Sequence, residues 1–310
     1  MITLSEIRLP PGTVLAGKWN GKRYQLEKLL GAGANGQVYL AFSGRSVYAL
    51  KIGTDAADLQ AEANVLASLD KRERRRGRPP FLLDVDDAAA EGHELSFYVM
   101  QYVPGMSVRS YLREHGEDWL GVIGYRLLRR LAELHEAGWV FGDVKNDNVL
   151  VSGYGRVALV DYGGMTVPGR SVRQFTEIYD RGYWGAGSRT ADPAYDWFAV
   201  AVLWIHVMDS ERLIRLTRTL LPQNRHPREL LELVRTNASL RPMAPWMERA
   251  FFGRFSDSEE ACEAWSSNVR QASGARARAD RGHGVPGWMA GLFVLSAALC
   301  VSAAALWFLS

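Results

Sequence analysis

The run Phe141-Gly142-Asp143-Val144-Lys145-Asn146-Asp147-Asn148-Val149-Leu150, followed shortly by Asp161-Tyr162-Gly163, constrains this chain more than any other feature. Short apolar stretches flank the polar groups, so two acids, a lysine and an asparagine are set on two turns between buried strands. Groups of these types, held together, suit the positioning of a hydroxyl against metal-bound phosphates. Phosphoryl transfer is the chemistry this pattern predicts.

Upstream, Gly31-Ala32-Gly33-Ala34-Asn35-Gly36-Gln37-Val38 has the G-x-G-x-x-G spacing between two strand candidates. Glycines let backbone amides approach phosphate oxygens with no Cβ in the way. Alone, the motif also fits a dinucleotide-binding turn or an ordinary hairpin. The strand that follows from Val38 and the later Ala49-Leu50-Lys51 favour a hairpin that covers phosphates. Lys51 ends an apolar strand, where an unpaired ammonium is costly to bury, so a carboxylate partner is expected. Glu62, in the middle of the next helix, is the candidate; an exposed helix glutamate is the alternative.

In this order the residues resemble the eukaryotic-like serine/threonine protein kinase family, where the catalytic stretch reads His-Arg-Asp-Leu-Lys-x-x-Asn and precedes Asp-Phe-Gly. The resemblance spans roughly residues 24–265 and is weakest in the last third. It implies an α+β, bilobal protein-kinase-like fold: a small antiparallel β lobe with one helix, and a larger, mainly helical lobe. It further implies that Asp143 orients the acceptor hydroxyl, that Lys145 lies near the transferred phosphate, and that Asn148 and Asp161 hold magnesium, or manganese in its place. Gly31, Gly33, Gly36 and Val38 would cover ATP, the Lys51–Glu62 pair would clamp its α/β-phosphates, and the backbone from Gln101 through Val103 to Gly105 would meet adenine. The substrate so implied is a protein serine or threonine hydroxyl.

The departures from the family pattern carry information too. Phe141-Gly142 stands where His-Arg is usual, which removes the arginine that grips an activation-segment phosphate. The Ala-Pro-Glu stop is missing, with Tyr183-Trp184-Gly185-Ala186-Gly187 near its place. Tyr162 keeps an aromatic ring where phenylalanine is usual. Asp196, after Asp192-Pro193, either caps a helix or also braces the catalytic loop. Because small-molecule kinases often carry a pair like Gly142-Asp143, an aminoglycoside- or sugar-type phosphotransferase is one alternative. A nucleotide-binding pseudokinase scaffold is the other.

With 310 residues the chain has room for one catalytic domain of about 250 residues and a tail. Residues 1–23 read as an irregular leader or first edge strand, 24–103 as the small lobe and 104–266 as the large lobe. Strands are expected at 24–30, 37–41, 46–52, 81–85, 95–101 and 157–160, and helices at 56–69, 108–115, 120–137, 195–208, 211–221, 227–236 and 257–267. The basic stretch 71–80 should break the first helix, and the Ser/Gly/Arg/Ala segment 267–287 reads as a flexible basic linker.

Residues 288–309 form an uncharged, mostly apolar run that would reach about 33 Å as a helix, enough to span a bilayer core. A buried helix or an autoinhibitory segment is the competing reading. Arg270, Arg276, Arg278 and Arg281 precede the run, so a single-pass anchor with the catalytic domain on the cytoplasmic side is expected. No signal peptide is expected, given Glu6 and Arg8 near the N-terminus. The net charge of +3 is a weak argument for nucleic acid, and no aromatic residue interleaves with the basic run 71–78, which suits solvent or an anionic lipid surface better. The two cysteines offer neither a metal quartet nor a disulfide framework. No sequence feature specifies an oligomeric state.

Overall fold

The structure, a computed structural model, describes residues 8–33, 35–75, 80–172, 176–281 and 292–300, together with Ser302 and Trp307. Its contacts divide the chain into two units, residues 1–266 and 267–310.

The first unit opens with a six-stranded antiparallel sheet built from β1 (Val14–Ala16), β2 (Arg23–Gly33), β3 (Gly36–Ser43), β4 (Ser46–Gly53), β5 (Leu82–Ala90) and β6 (His93–Gln101), in the order β1-β2-β3-β4-β6-β5. Alternation decides the register. Tyr24 and Leu26 in β2, Tyr39 and Ala41 in β3, and Leu95, Phe97 and Val99 in β6 all turn to one buried layer. Leu9 and Leu15, from the leader, belong to that layer. Leu15 is fully buried, Leu9 is buried beside it, and the Leu9 amide donates to Tyr39 Oη at 3.1 Å. The turn after β1 is tied to β5 by Asp86, which accepts from the Trp19 and Asn20 amides at 3.0 and 3.1 Å.

Helix α1 (Ala56–Arg75) follows β4 and is capped by Asp55, whose carboxylate accepts from the Asp58 amide. Leu59, Glu62, Ala63, Leu66 and Asp70 fall on one face by helical spacing, and all are buried. The helix continues through Lys71–Arg75, where a break is expected from sequence; lysine, arginine and glutamate are good helix formers, and charge alone does not end a helix. Residues 76–79 of that basic stretch lie outside the described residues. Asp70 then fixes the return of the chain, accepting from the Phe81 and Leu82 amides at 2.6 and 2.8 Å.

The larger part of the unit is mainly helical. Strands β7 (Met106–Ser107), β8 (Val149–Ser152) and β9 (Arg156–Leu159) form a small sheet beneath the cleft, alongside α2 (Val108–His115) and α3 (Leu120–Glu136). Helix α4 (Pro193–Met208) is buried continuously from Tyr195 to Ile205, as its nearly unbroken apolar sequence requires. Asp192 is its N-cap and Pro193 its first residue. Around α4 pack α5 (Ser210–Thr219), α6 (Pro227–Thr236) and α7 (Ala244–Phe251), and Trp265, in the first part of α8 (Ser258–Arg281), stacks on Trp204. Trp265 lies against Gly124 of α3, where a Cβ would come within 2.0 Å of the indole.

Three short elements, β7, β8 and α7, have no counterpart in the sequence reading. Helix α8 also extends to Arg281, through most of the segment expected to be a flexible linker, because alanine, arginine and glutamine outweigh its scattered serines and one glycine in helix propensity. Residues 282–287, the end of that segment, lie outside the described residues. Of the apolar run 288–309, residues 292–300 are helical; 288–291, 301, 303–306, 308 and 309 lie outside the described residues. Among the described residues no helix is long and apolar enough to cross a membrane.

Because Leu15 sits in the sheet core, Leu15→Ala should lower the stability of the chain by about 2–5 kcal/mol, although the residue lies before the matched catalytic motifs. Thermal denaturation checks this. An unchanged midpoint would show that Leu15 does not support the sheet core.

Candidate active site

A cleft of about 630 Å³ lies between the sheet and the helical part, and it is lined by Gly31, Gly33, Gly36, Val38, Lys51, Gln101, Val103, Asp143, Lys145, Asn148 and Asp161. Every one of these was singled out from sequence. Glu62 stands behind Lys51. Leu30, Ala49, Met100, Leu150 and Val160 add an apolar lining that the motifs do not announce.

The glycine turn is the end of the β2–β3 hairpin, with Gly33 opposite Gly36 and Gly31 opposite Val38. Its glycines have different causes. Gly36 has φ +133° and its Cβ would sit 2.0 Å from the Ile52 carbonyl oxygen, so the sheet itself demands glycine there. A Cβ on Gly31 or Gly33 would meet nothing within 4 Å. Packing does not explain those two, whereas backbone left bare toward the cleft does suit the close approach of a phosphate.

Lys51 lies opposite Val38 on one side and Tyr98 on the other, and its side chain is 3% exposed. Its ammonium donates to Glu62 Oε2 at 2.7 Å and to Asp161 Oδ1 at 2.8 Å. Burial pulls the Lys51 pKa down, but the two carboxylates more than reverse this and hold it above the ordinary lysine value. Burial pushes the Glu62 carboxyl up against the opposing pull of Lys51. The second oxygen of Glu62 accepts from the Tyr98 hydroxyl at 2.8 Å, and Tyr98 is itself fully buried. Tyr98 is a site residue that sequence reasoning misses, and the one signal for it is strand register, which places it directly opposite Lys51.

The catalytic loop hangs from α4. Asp196, fully buried, accepts from the Phe141 and Gly142 amides, each at 2.8 Å, and lies 2.9 Å from His135 Nε2. Asp192 is the helix cap, so Asp196 has the bracing role. Gly142 has φ +75°, and a Cβ on it would lie 2.7 Å from the Gly164 carbonyl oxygen. The segment after Asp161 therefore packs backbone to backbone on the catalytic loop at Gly142. Phe81, Tyr162 and Phe141 form a line of edge-on rings with centroids 5.3 and 5.9 Å apart, joining the sheet part to the loop.

Asp143 is 8% exposed. Lys145 Nζ donates to its Oδ2 at 2.7 Å, and Asn148 Nδ2 donates to the same oxygen at 2.8 Å and to the Asp143 carbonyl at 3.0 Å. Burial raises the Asp143 pKa above the usual carboxylate value, while Lys145 opposes the shift. Asp161 differs: burial pushes it up, but Lys51 and then Lys145 outweigh this and keep it below its usual value. Asp161 also adopts a left-handed backbone with φ +60°, a conformation that costs a non-glycine residue about 1–3 kcal/mol. The arrangement thus offers a fixed ammonium, a low-pKa acid paired with it, and a second acid held by a lysine and an asparagine.

Residues 24–270 match the protein kinase domain family. The chain belongs to that family. Among curated relatives, Serine/threonine-protein kinase YabT of Bacillus subtilis (strain 168) is 38% identical over 262 residues, covering 84% of this chain and 75% of that protein. Protein kinase C, eye isozyme, of Drosophila melanogaster is 29% identical over 196 residues, covering 60% of this chain but 28% of that protein. Among solved structures, vaccinia related kinase 3 aligns with TM-score 0.62 at 16% identity, over 87% of this chain and 94% of that one. A double mutant of the Mycobacterium tuberculosis PknI kinase domain aligns with TM-score 0.53 at 20% identity, over 84% of this chain and all of that one. At such identities the two structures establish the bilobal kinase fold alone.

For this kinase the buried lysine gives a graded prediction. Glu62→Gln should raise the KM for ATP at least about tenfold, because it leaves Lys51 one carboxylate short in a buried site. Tyr98→Phe removes one hydrogen bond, about 1 kcal/mol, so its effect should stay within about tenfold and below that of Glu62→Gln. Steady-state kinetics with varied ATP checks the order, and a larger effect for Tyr98→Phe would contradict it.

Proposed function

We propose that the chain is an ATP-dependent serine/threonine protein kinase whose catalytic domain is held at the cytoplasmic face of a membrane by residues 288–309. The observation that carries the catalytic half is the joint geometry of Lys51, Glu62 and Asp161 on one side of the cleft with Asp143, Lys145 and Asn148 on the other. The serine/threonine preference is supported by the likeness to Serine/threonine-protein kinase YabT and by Lys145.

In this reading the apolar lining around Val38, Ala49 and Leu150 takes the adenine ring, and the backbone from Gln101 to Val103 offers its hydrogen bonds. Lys51, kept in place by Glu62, meets the α/β-phosphates. Asp143 orients the acceptor hydroxyl and receives its proton as the oxygen–phosphorus bond forms and the bridging bond to the β-phosphate breaks. Lys145 places positive charge beside the moving phosphoryl group. Asp161, ionised at neutral pH, and Asn148, whose amide nitrogen is engaged by Asp143, would hold magnesium through oxygen, and the metal supplies neutralisation of phosphate charge.

The full chain with ATP and magnesium should phosphorylate itself or casein on serine or threonine, and Asp143→Asn should lower the rate by about 10²–10⁴-fold. Equal labelling by Asp143→Asn would refute the assignment. Labelling of a sugar or aminoglycoside but no protein would favour the small-molecule alternative, and nucleotide-dependent thermal stabilisation without turnover would favour a scaffold.

The membrane half rests on the apolar run and the arginines before it. Residues 292–300 are helical, and Leu292, Phe293, Val294, Leu295 and Leu299 are all exposed, which a lipid environment would cover. Carbonate extraction should leave the full chain with the membrane, whereas a version ending at Gly284 should be released. Release of both would overturn the anchor. Protease should reach the catalytic domain only after right-side-out vesicles are opened; digestion of intact vesicles would overturn the orientation.

A further inference from the structure

The chain lacks the Ala-Pro-Glu stop, yet the loop that follows Tyr179 is held by its own set of charges. Asp180 is 1% exposed and accepts from the Gly182 and Tyr183 amides at 2.9 Å each, from Arg189 Nε at 2.9 Å and from the Tyr195 hydroxyl at 3.1 Å. Arg181, also buried, sends its fork the other way. Nη1 and Nη2 meet the two oxygens of Asp192 at 2.8 and 2.7 Å, Nε donates to the Ser188 carbonyl at 2.7 Å, and Nη2 donates to the Thr190 carbonyl at 2.9 Å. Such a planar bidentate donor has no substitute in lysine.

These contacts reach past the loop. Asp192 caps α4, the helix that carries Asp196 and so the catalytic loop. Residues 189–191, beside the Thr190 carbonyl, pair with the segment after Asp161: the Val172 amide donates to Arg189 O, the Ala191 amide to Arg170 O, and the Gly169 amide to Ala191 O. Within the loop Trp184 is fully buried and donates to the Ile178 carbonyl at 2.8 Å, while Arg225 of the α5–α6 connection stacks 3.8 Å above Tyr183.

We propose that Asp180 and Arg181 are positioning residues that shape residues 182–190 into the docking floor for the protein substrate, in place of the missing stop, and register that floor to Asp143 through Asp192 and α4. This rests on the protein kinase reading above. A protein acceptor would rest on this floor, whereas none of residues 182–190 lines the cleft that would take ATP. Loss of the fork therefore moves the acceptor hydroxyl without disturbing the nucleotide, and small misplacements of that kind carry large rate effects.

The test compares initial rates of the full chain, Arg181→Lys and Arg189→Ala, varying casein and ATP separately, with nucleotide-dependent thermal stabilisation as the folding control. Arg181→Lys should raise the KM for casein at least about tenfold and leave the KM for ATP within about twofold. Arg189→Ala removes the half-exposed cation beside Asp180 but leaves its buried carboxylate the Gly182 and Tyr183 amides and the Tyr195 hydroxyl, so it should still show nucleotide-dependent stabilisation, with a lowered midpoint, and raise the casein KM about threefold. If Arg181→Lys fails to fold, Arg189→Ala decides: a raised casein KM supports the floor, and an unchanged one overturns it. Parallel loss in both KM values, or none in either, also overturns it. A parent chain that phosphorylates no protein overturns the kinase reading and this proposal together, whereas an active parent with indifferent variants overturns this proposal alone.

Discussion

The buried ammonium of Lys51 is the constraint on which the rest of the site depends. A lone charge in that position would be heavily penalised, and two carboxylates from distant parts of the chain answer it: Glu62 from α1 and Asp161 from the turn after β9. Each partner then acquires its own supports. Glu62 is held by Tyr98 and by the packed face of α1, which Asp70 pins to the start of β5. Asp161 is held in a left-handed conformation whose strain is offset by its ion pair. One lysine thereby sets the sheet, α1 and the turn after β9 in mutual register.

A second frame carries the other half of the chemistry. Asp196 at the centre of the large lobe gathers two amides of the catalytic loop, and Asp143, Lys145 and Asn148 follow from that fixed entry. Where the usual kinase pattern has an arginine this chain has Gly142, and the Gly164 carbonyl oxygen lies 2.7 Å from where its Cβ would sit. Among the described residues the activation segment is held in part by backbone pairing, between Val140 and Thr166 and between Ser171 and Thr190.

The residues that line the cleft were legible because their signals are local: a glycine turn, a lysine ending a strand, and acids on short turns can each be read within a few positions. Glu62 was legible because it lies in the middle of the helix that follows Lys51. Tyr98 was not, since its partner lies far along the chain and only strand register joins them. Asp180 and Arg181 were missed for a related reason, as their partners depend on how a loop with no regular structure closes. The edges of elements misled in a different way. Lys71–Arg75 and most of 267–281 look like loop or linker by charge and by serine and glycine content, yet helix propensity continues through both.

A double-mutant cycle on Lys51 and Glu62 tests the central claim most directly, with equilibrium urea unfolding followed by tryptophan fluorescence. Lys51→Met alone leaves the buried Glu62 uncompensated and should cost about 3–5 kcal/mol. Adding Glu62→Gln neutralises that carboxylate while keeping an acceptor for Tyr98, so the double variant should be more stable than the sum of the two losses by at least about 1 kcal/mol. Losses that add within about 0.5 kcal/mol would contradict the account, because Lys51 and Glu62 would then be independent residues that happen to lie close together.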